Sequence, residues 1–124
     1  MDIGMLIDNN FFYDGFEDES EVELFIAEKP EFDIHIWIGY IRDIFDKPIF
    51  DGNEWTGFTR DYQQEVGTYG NNNVTINVDE YLFDLMKYKD KKFKFEETLD
   101  CFNLIKMFLK YAKQENLTVK VNWW

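Results

Sequence analysis

Apolar residues recur at alternate positions through the early part of the chain. From Phe32 to Arg42 the even positions Phe32, Ile34, Ile36, Ile38 and Tyr40 are apolar, while Asp33, His35 and Gly39 occupy odd ones. A period of two is that of a strand with one buried face, so the pattern predicts a strand across this whole stretch. Trp37 and Ile41 on the odd side indicate that the second face is partly covered too. Upstream, Val22, Leu24 and Ile26 alternate with Glu21, Glu23 and Phe25, and Glu28-Lys29-Pro30-Glu31 supplies a turn between the two runs. The pair reads as a β-hairpin with Glu21 and Glu23 on its outer face.

Further along, DKPIFDGNEW carries Pro48 and the Asp51-Gly52 pair and reads as a loop, while GFTRDYQQEVGTY fits either an irregular strand or a short helix. Gly70 to Asn73 (GNNN) is a turn signal because Gly and Asn tolerate positive φ, and VTINV behind it alternates as a strand. Asp79 suits the cap of a short helix over DEYLFDLMKY, with Tyr81, Leu82, Leu85, Met86 and Lys89 at helical spacing. The lysines of KYKDKK then complement the helix dipole. A longer helix is expected from about Glu97 to Glu115, where Cys101, Phe102, Ile105, Phe108, Leu109 and Ala112 fall within roughly 120° of arc. Asn116 ends it, and Leu117, Val119, Val121 and Trp123 alternate as a closing strand. The expected architecture is α+β: one domain over residues 1–124, with an antiparallel or mixed sheet of about five strands packed against two C-terminal helices.

Composition supports a folded chain, because 124 residues at 45 % hydrophobic and 19 % aromatic suffice for one core. Charge adds more. The net value is −12, which argues against direct binding to nucleic acid or an anionic membrane, since both require clustered Lys and Arg. The imbalance is local: Met1 to Glu65 holds 17 acids against 4 bases, and Val66 to Trp124 holds 8 against 9. Between Tyr13 and Asp33 alone there are nine carboxylates and one lysine. Such self-repulsion opposes folding, so the acids either face water between core residues or form a surface for a basic partner.

Chemistry beyond charge is sparse. The single cysteine, Cys101, cannot form an intramolecular disulfide and lies on the apolar stripe of the long helix, where a small core residue is expected. The N-terminus MDIGMLIDNN lacks a basic region and an apolar core of signal-peptide length, and no apolar run approaches a membrane span. A cytoplasmic location is therefore expected, in which the sequons at Asn73 and Asn116 go unused. His35, the only histidine, reads as an exposed or capping residue whose replacement by Ala should do little to partner binding. One His and one Cys do not suggest a zinc site, and DGFEDES lacks the ligand spacing of an EF-hand. No phosphate loop, dinucleotide fingerprint or nucleophile motif occurs, so no catalytic residue, cofactor or metal is expected.

The small size, the acidity and the C-terminal half NVTINVDEYLFDLMKYKDKKFKFEETLDCFNLIKMFLKYAKQENLTVKVNWW resemble immunity proteins of bacterial polymorphic toxin systems, including those of contact-dependent growth inhibition. The resemblance lies in layout over about the last fifty residues and transfers no interface position. It implies tight cytoplasmic binding of one cognate toxin domain, often a nuclease that cleaves tRNA or DNA. Nuclease toxins are basic because their clefts attract phosphate, and an acidic protein suits such a cleft. From charge and interleaved aromatics, the expected interface comprises Tyr13, Asp14, Glu17, Asp18, Glu19, Glu21, Glu23, Asp51, Glu54, Trp55 and Asp61, with Trp55 or Tyr13 as apolar anchor. Charge reversal at Glu17, Asp18 and Glu19 should slow association. Two other classes compete: an acidic nucleic-acid mimic that inhibits several DNA- or RNA-binding proteins, and a small hydrolase built on a carboxylate pair.

Overall fold

The computed structural model describes residues 3–45 and 73–123. It is an α+β domain built on a mixed five-stranded sheet. After a 3₁₀ turn at Ile3–Leu6 come β1 (Asn9–Phe12), β2 (Glu21–Ile26), β3 (Lys29–Trp37) and α1 (Ile38–Phe45). The C-terminal part supplies β4 (Val74–Thr75), α2 (Val78–Met86), α3 (Thr98–Gln114) and β5 (Val119–Trp123). The strand order is β1-β3-β2-β5-β4, with β1 parallel to β3 and the other neighbours antiparallel.

One face of the sheet is apolar and carries the core. Val22, Leu24 and Ile26 of β2, Ile34 and Ile36 of β3, and Val119 and Val121 of β5 are fully buried. They belong to the same cluster as Ile41 and Ile44 of α1 and the α3 stripe Cys101, Phe102, Ile105, Phe108, Leu109 and Ala112. Burial pushes the Cys101 thiol pKa up, as expected of a core thiol. The opposite face presents Glu21, Glu23 and Phe25 of β2, Asp33, His35 and Trp37 of β3, and Lys120 and Asn122 of β5.

The hairpin, the two C-terminal helices and the closing strand match the sequence expectation, and three details differ. First, the strand expected through Arg42 stops at Trp37, and Ile38–Phe45 is a helix. Ile38, Ile41 and Phe45 satisfy helical spacing as well as Ile38 and Tyr40 satisfy alternation, and the buried set Ile41, Ile44 and Phe45 decides for the helix. Second, VTINV forms only the two-residue β4, because Asn77 leaves the sheet to cap α2. Third, that cap is Asn77 and not Asp79: Asn77 Oδ1 accepts from the Glu80 amide at 3.0 Å, while Asp79 sits in the first turn. At the far end of α3, Asn116 takes φ 54° and the Leu117 amide donates to the Ala112 carbonyl at 2.8 Å, which closes the helix. The loop expected at DKPIFDGNEW, the ambiguous segment after it and residues 70–72 of the GNNN turn lie outside the described residues.

The junction of β3 and α1 turns on Gly39. The Trp37 indole lies over it so closely that a Cβ at Gly39 would stand 2.3 Å from Trp37 Cη2. The indole is held by Phe16, stacked at 4.0 Å and 6°, and by Tyr40, edge-on at 5.2 Å. Helix propensity alone favours Gly39→Ala by about 1 kcal/mol. Here the clash should dominate and cost about 2 kcal/mol. Urea denaturation checks the sign: a Gly39→Ala protein more stable than the parent would mean that the indole moves aside freely.

Candidate functional site

Strand β2 runs antiparallel to β3, and β1 lies beyond β3, so the connection from β1 to β2 must cross the end of β3. That connection, residues 13–20, is the acidic loop. Phe16 anchors it by stacking on Trp37, and the Ile38 amide donates to the Ser20 carbonyl at 3.0 Å. Tyr13 organises its interior: the hydroxyl donates between the Glu17 and Glu19 carbonyl oxygens, at 3.0 and 2.9 Å. Gly15, at φ +95°, turns its amide to donate to Glu17 Oε1 at 3.1 Å. That backbone hydrogen bond holds the Glu17 carboxyl below its ordinary pKa. Asp14, Asp18 and Glu19 are exposed on the same loop.

The loop carboxylates and the first acid of β2 act on one place. Desolvation raises the Tyr13 phenol pKa, and the charges of Glu21, Glu17, Asp18 and Glu19 raise it further. These four acids, expected from the sequence as interface residues, are therefore gathered around Tyr13. Tyr13 itself is committed to the loop and is not a free anchor. Phe11, two residues earlier on edge strand β1, is a large apolar side chain that is 71 % exposed. The signal for it was weak, because NNFF does not show which of its two phenylalanines faces the core. Asp51, Glu54, Trp55 and Asp61 lie outside the described residues.

Beside the loop, the sheet face opposite the core holds a compact polar cluster. Cross-strand register places His35 opposite Glu23, with Glu21 and Asp33 two pairs away on either side and on the same face. His35 Nδ1 meets Glu21 Oε2 at 2.7 Å, and Nε2 stands 3.3 Å from both Glu23 Oε2 and Asp33 Oδ1. Asn122 of β5 donates from Nδ2 to Glu23 Oε1 at 2.7 Å, and its Oδ1 accepts from the Asn73 amide at 2.5 Å. His35 is thus neither exposed nor a cap: it is the cation among three partly buried carboxylates. The Asp33 hydrogen bond raises its pKa, burial opposes this, and the Glu21 hydrogen bond adds to the rise, bringing it to about 9. Burial pushes the Glu23 carboxyl up, against the lowering contact from Asn122.

Glu21 and Glu23, expected in the partner surface, are instead mostly buried and engaged within the protein by His35 and Asn122. Asp33, His35 and Asn122 were not expected to be functional. Among the described residues no helix is long and apolar enough to cross a membrane. No protein-family model matches the chain, and neither a curated protein nor a solved structure does.

Proposed function

We propose that this protein is an immunity protein, which binds a cognate basic toxin domain of the nuclease class in the cytoplasm and occludes its active site or substrate groove stoichiometrically. The observation that carries the reading is the loop at residues 13–20, which is pinned at Phe16 and Tyr13 and holds Asp14, Glu17, Asp18 and Glu19 outward beside Glu21. A fixed set of like charges attracts a basic protein without the entropy cost of ordering a mobile tail. Phe11 supplies an adjacent apolar contact. The function requires no turnover and no cofactor. The C-terminal layout that resembles toxin-immunity proteins agrees with it, and a pinned surface suits one partner better than the many partners of a nucleic-acid mimic.

The test takes the basic protein captured from the source cell, confirms that its activity is lost at one equivalent, and measures association at two salt concentrations. Asp14→Lys, Asp18→Lys and Glu19→Lys are combined; Glu17 is left in place because its carboxylate also holds the Gly15 amide. Association should slow about tenfold and lose most of its salt dependence. Rates indifferent to both salt and reversal would overturn the reading, and equal inhibition of several unrelated DNA-binding proteins would replace it with the mimic.

A further inference from the structure

The contacts of His35 differ on its two sides. The Nδ1 contact to Glu21, at 2.7 Å, has the length of a charge-assisted hydrogen bond. On the other side Nε2 is 3.3 Å from Glu23 Oε2, 3.3 Å from Asp33 Oδ1 and 3.4 Å from Asp33 Oδ2. All three exceed the ordinary range of about 2.7–2.9 Å for such a bond. The two separations from Nε2 suit an ion held between the groups: around a tetrahedral ion with ligand bonds of about 2.0–2.1 Å, neighbouring ligand atoms stand about 3.3–3.4 Å apart. One ligand atom each from Glu23, Asp33 and His35 also falls within 4.8 Å of the others.

The surroundings favour an ion over a proton. Asp33 Oδ1 is shielded from solvent and accepts no hydrogen bond among the described residues. A carboxylate on Nδ1, as Glu21 provides, orients a metal-binding imidazole and leaves the Nε2 lone pair for the metal. The Asn122 amide does the same for Glu23 by occupying Oε1 and turning Oε2 towards His35. A divalent ion offsets two of the three carboxylate charges, where a proton on His35 offsets one.

We propose that Glu23, Asp33 and His35 form a binding site for a divalent transition-metal ion of the zinc type, oriented by Glu21 and Asn122, with the fourth coordination position left to a water molecule. The imidazole ligand disfavours Mg²⁺ and Ca²⁺, which take oxygen ligands in higher coordination. The sequence expectation of no zinc site counted only His and Cys as ligands, and carboxylates were weighed only along the DGFEDES loop, whereas here carboxylates from two strands supply two of the three ligands.

His35 is the single histidine, so its imaging by long-range ¹H–¹⁵N imidazole NMR reports this site alone. The full chain, first stripped with a chelator, is titrated with ZnCl₂ at pH 8, because zinc must displace the proton that His35 otherwise carries. The Nε2 resonance should shift and saturate at one equivalent, while MgCl₂ leaves it unmoved. Asp33→Asn and Glu23→Gln, each confirmed folded by its amide spectrum, should weaken binding at least about tenfold. Glu31→Gln, an exposed acid of the same strand, should bind as the parent does. A resonance unmoved up to about 1 mM zinc, or a shift that both ligand variants retain in full, would overturn the site and leave His35 as an internal counter-ion. Neither readout involves the toxin partner, so the site and the inhibitor reading fail separately.

Discussion

Replacing Asp43 by Ala is expected to destabilise the protein by about 4 kcal/mol, a large share of the roughly 5–15 kcal/mol that holds a domain of this size together. Asp43 lies on α1 and is 8 % exposed. Its carboxylate accepts from the Lys94 amide at 2.8 Å, the Phe95 amide at 2.9 Å and the Thr98 hydroxyl at 2.6 Å, fastening the segment before α3 to α1. Lys91 completes the junction by donating to the Asp43 and Ile44 carbonyls at the end of α1. Truncation strands two backbone amides and a fully buried hydroxyl, and each unmet donor costs about 1–3 kcal/mol. Asp43→Asn should cost about 2 kcal/mol, because its amide group must face a donor, and Thr98→Val, which removes one donor and keeps the shape, about 1 kcal/mol.

The pH dependence identifies the cause. Burial raises the Asp43 pKa, but the Thr98, Phe95 and Lys94 hydrogen bonds and the Lys91 charge outweigh it, and the folded value lies below the ordinary one. Such a carboxylate stabilises fully above its unfolded pKa, and the contribution is lost as pH falls through the folded one. The gap between parent and Asp43→Asn in urea midpoints should therefore narrow below about pH 4. A gap constant from pH 7 to pH 3 would mean that charge is not what holds the junction.

The buried halves of the elements were legible in the sequence, because burial on one side imposes a period. Val22, Leu24 and Ile26, or Cys101 to Ala112, announce strand and helix whatever their neighbours do. The buried polar groups were not. Nothing in the composition separates Asp43 from the solvated acids of the same half, since its donors come from residues 94–98, some fifty positions away. The His35 cluster was hidden by register. Pairs from Glu21↔Trp37 to Phe25↔Asp33 run in step, but the next pair is Ile26↔Lys29, so Pro30, Glu31 and Phe32 bulge out of the ladder. A turn centred on Glu28 to Glu31 sets His35 off from Glu23 by one position, onto the wrong face. The tight turn with its bulge puts them opposite each other. The acidic loop was legible as charge, while its anchoring by Phe16 on Trp37 depends on a crossover that no local pattern encodes.

The chelated protein should lose about 2 kcal/mol of stability between pH 6.5 and pH 9.5, and His35 should be the cause. Its folded pKa of about 9 lies above the unfolded value of about 6.5. A cation stabilised in this way contributes fully below the unfolded pKa, and the contribution disappears as pH rises through the folded one. The difference amounts to about 3 kcal/mol before screening of a side chain that is 22 % exposed, hence the smaller figure. His35→Ala removes the cation and leaves Glu21, Glu23 and Asp33 facing one another, so at pH 7 it should be about 3 kcal/mol less stable than the parent, contrary to the small effect that an exposed histidine implies. Its dependence on pH should also move. Glu23, already raised by burial and by Asp33, becomes the group that takes up a proton, so the variant regains stability on acidification and stays flat on the alkaline side, where the parent falls. Urea midpoints of both proteins across that range decide the matter: a parent that is flat above pH 6.5 would show that the three carboxylates do not hold a proton on His35.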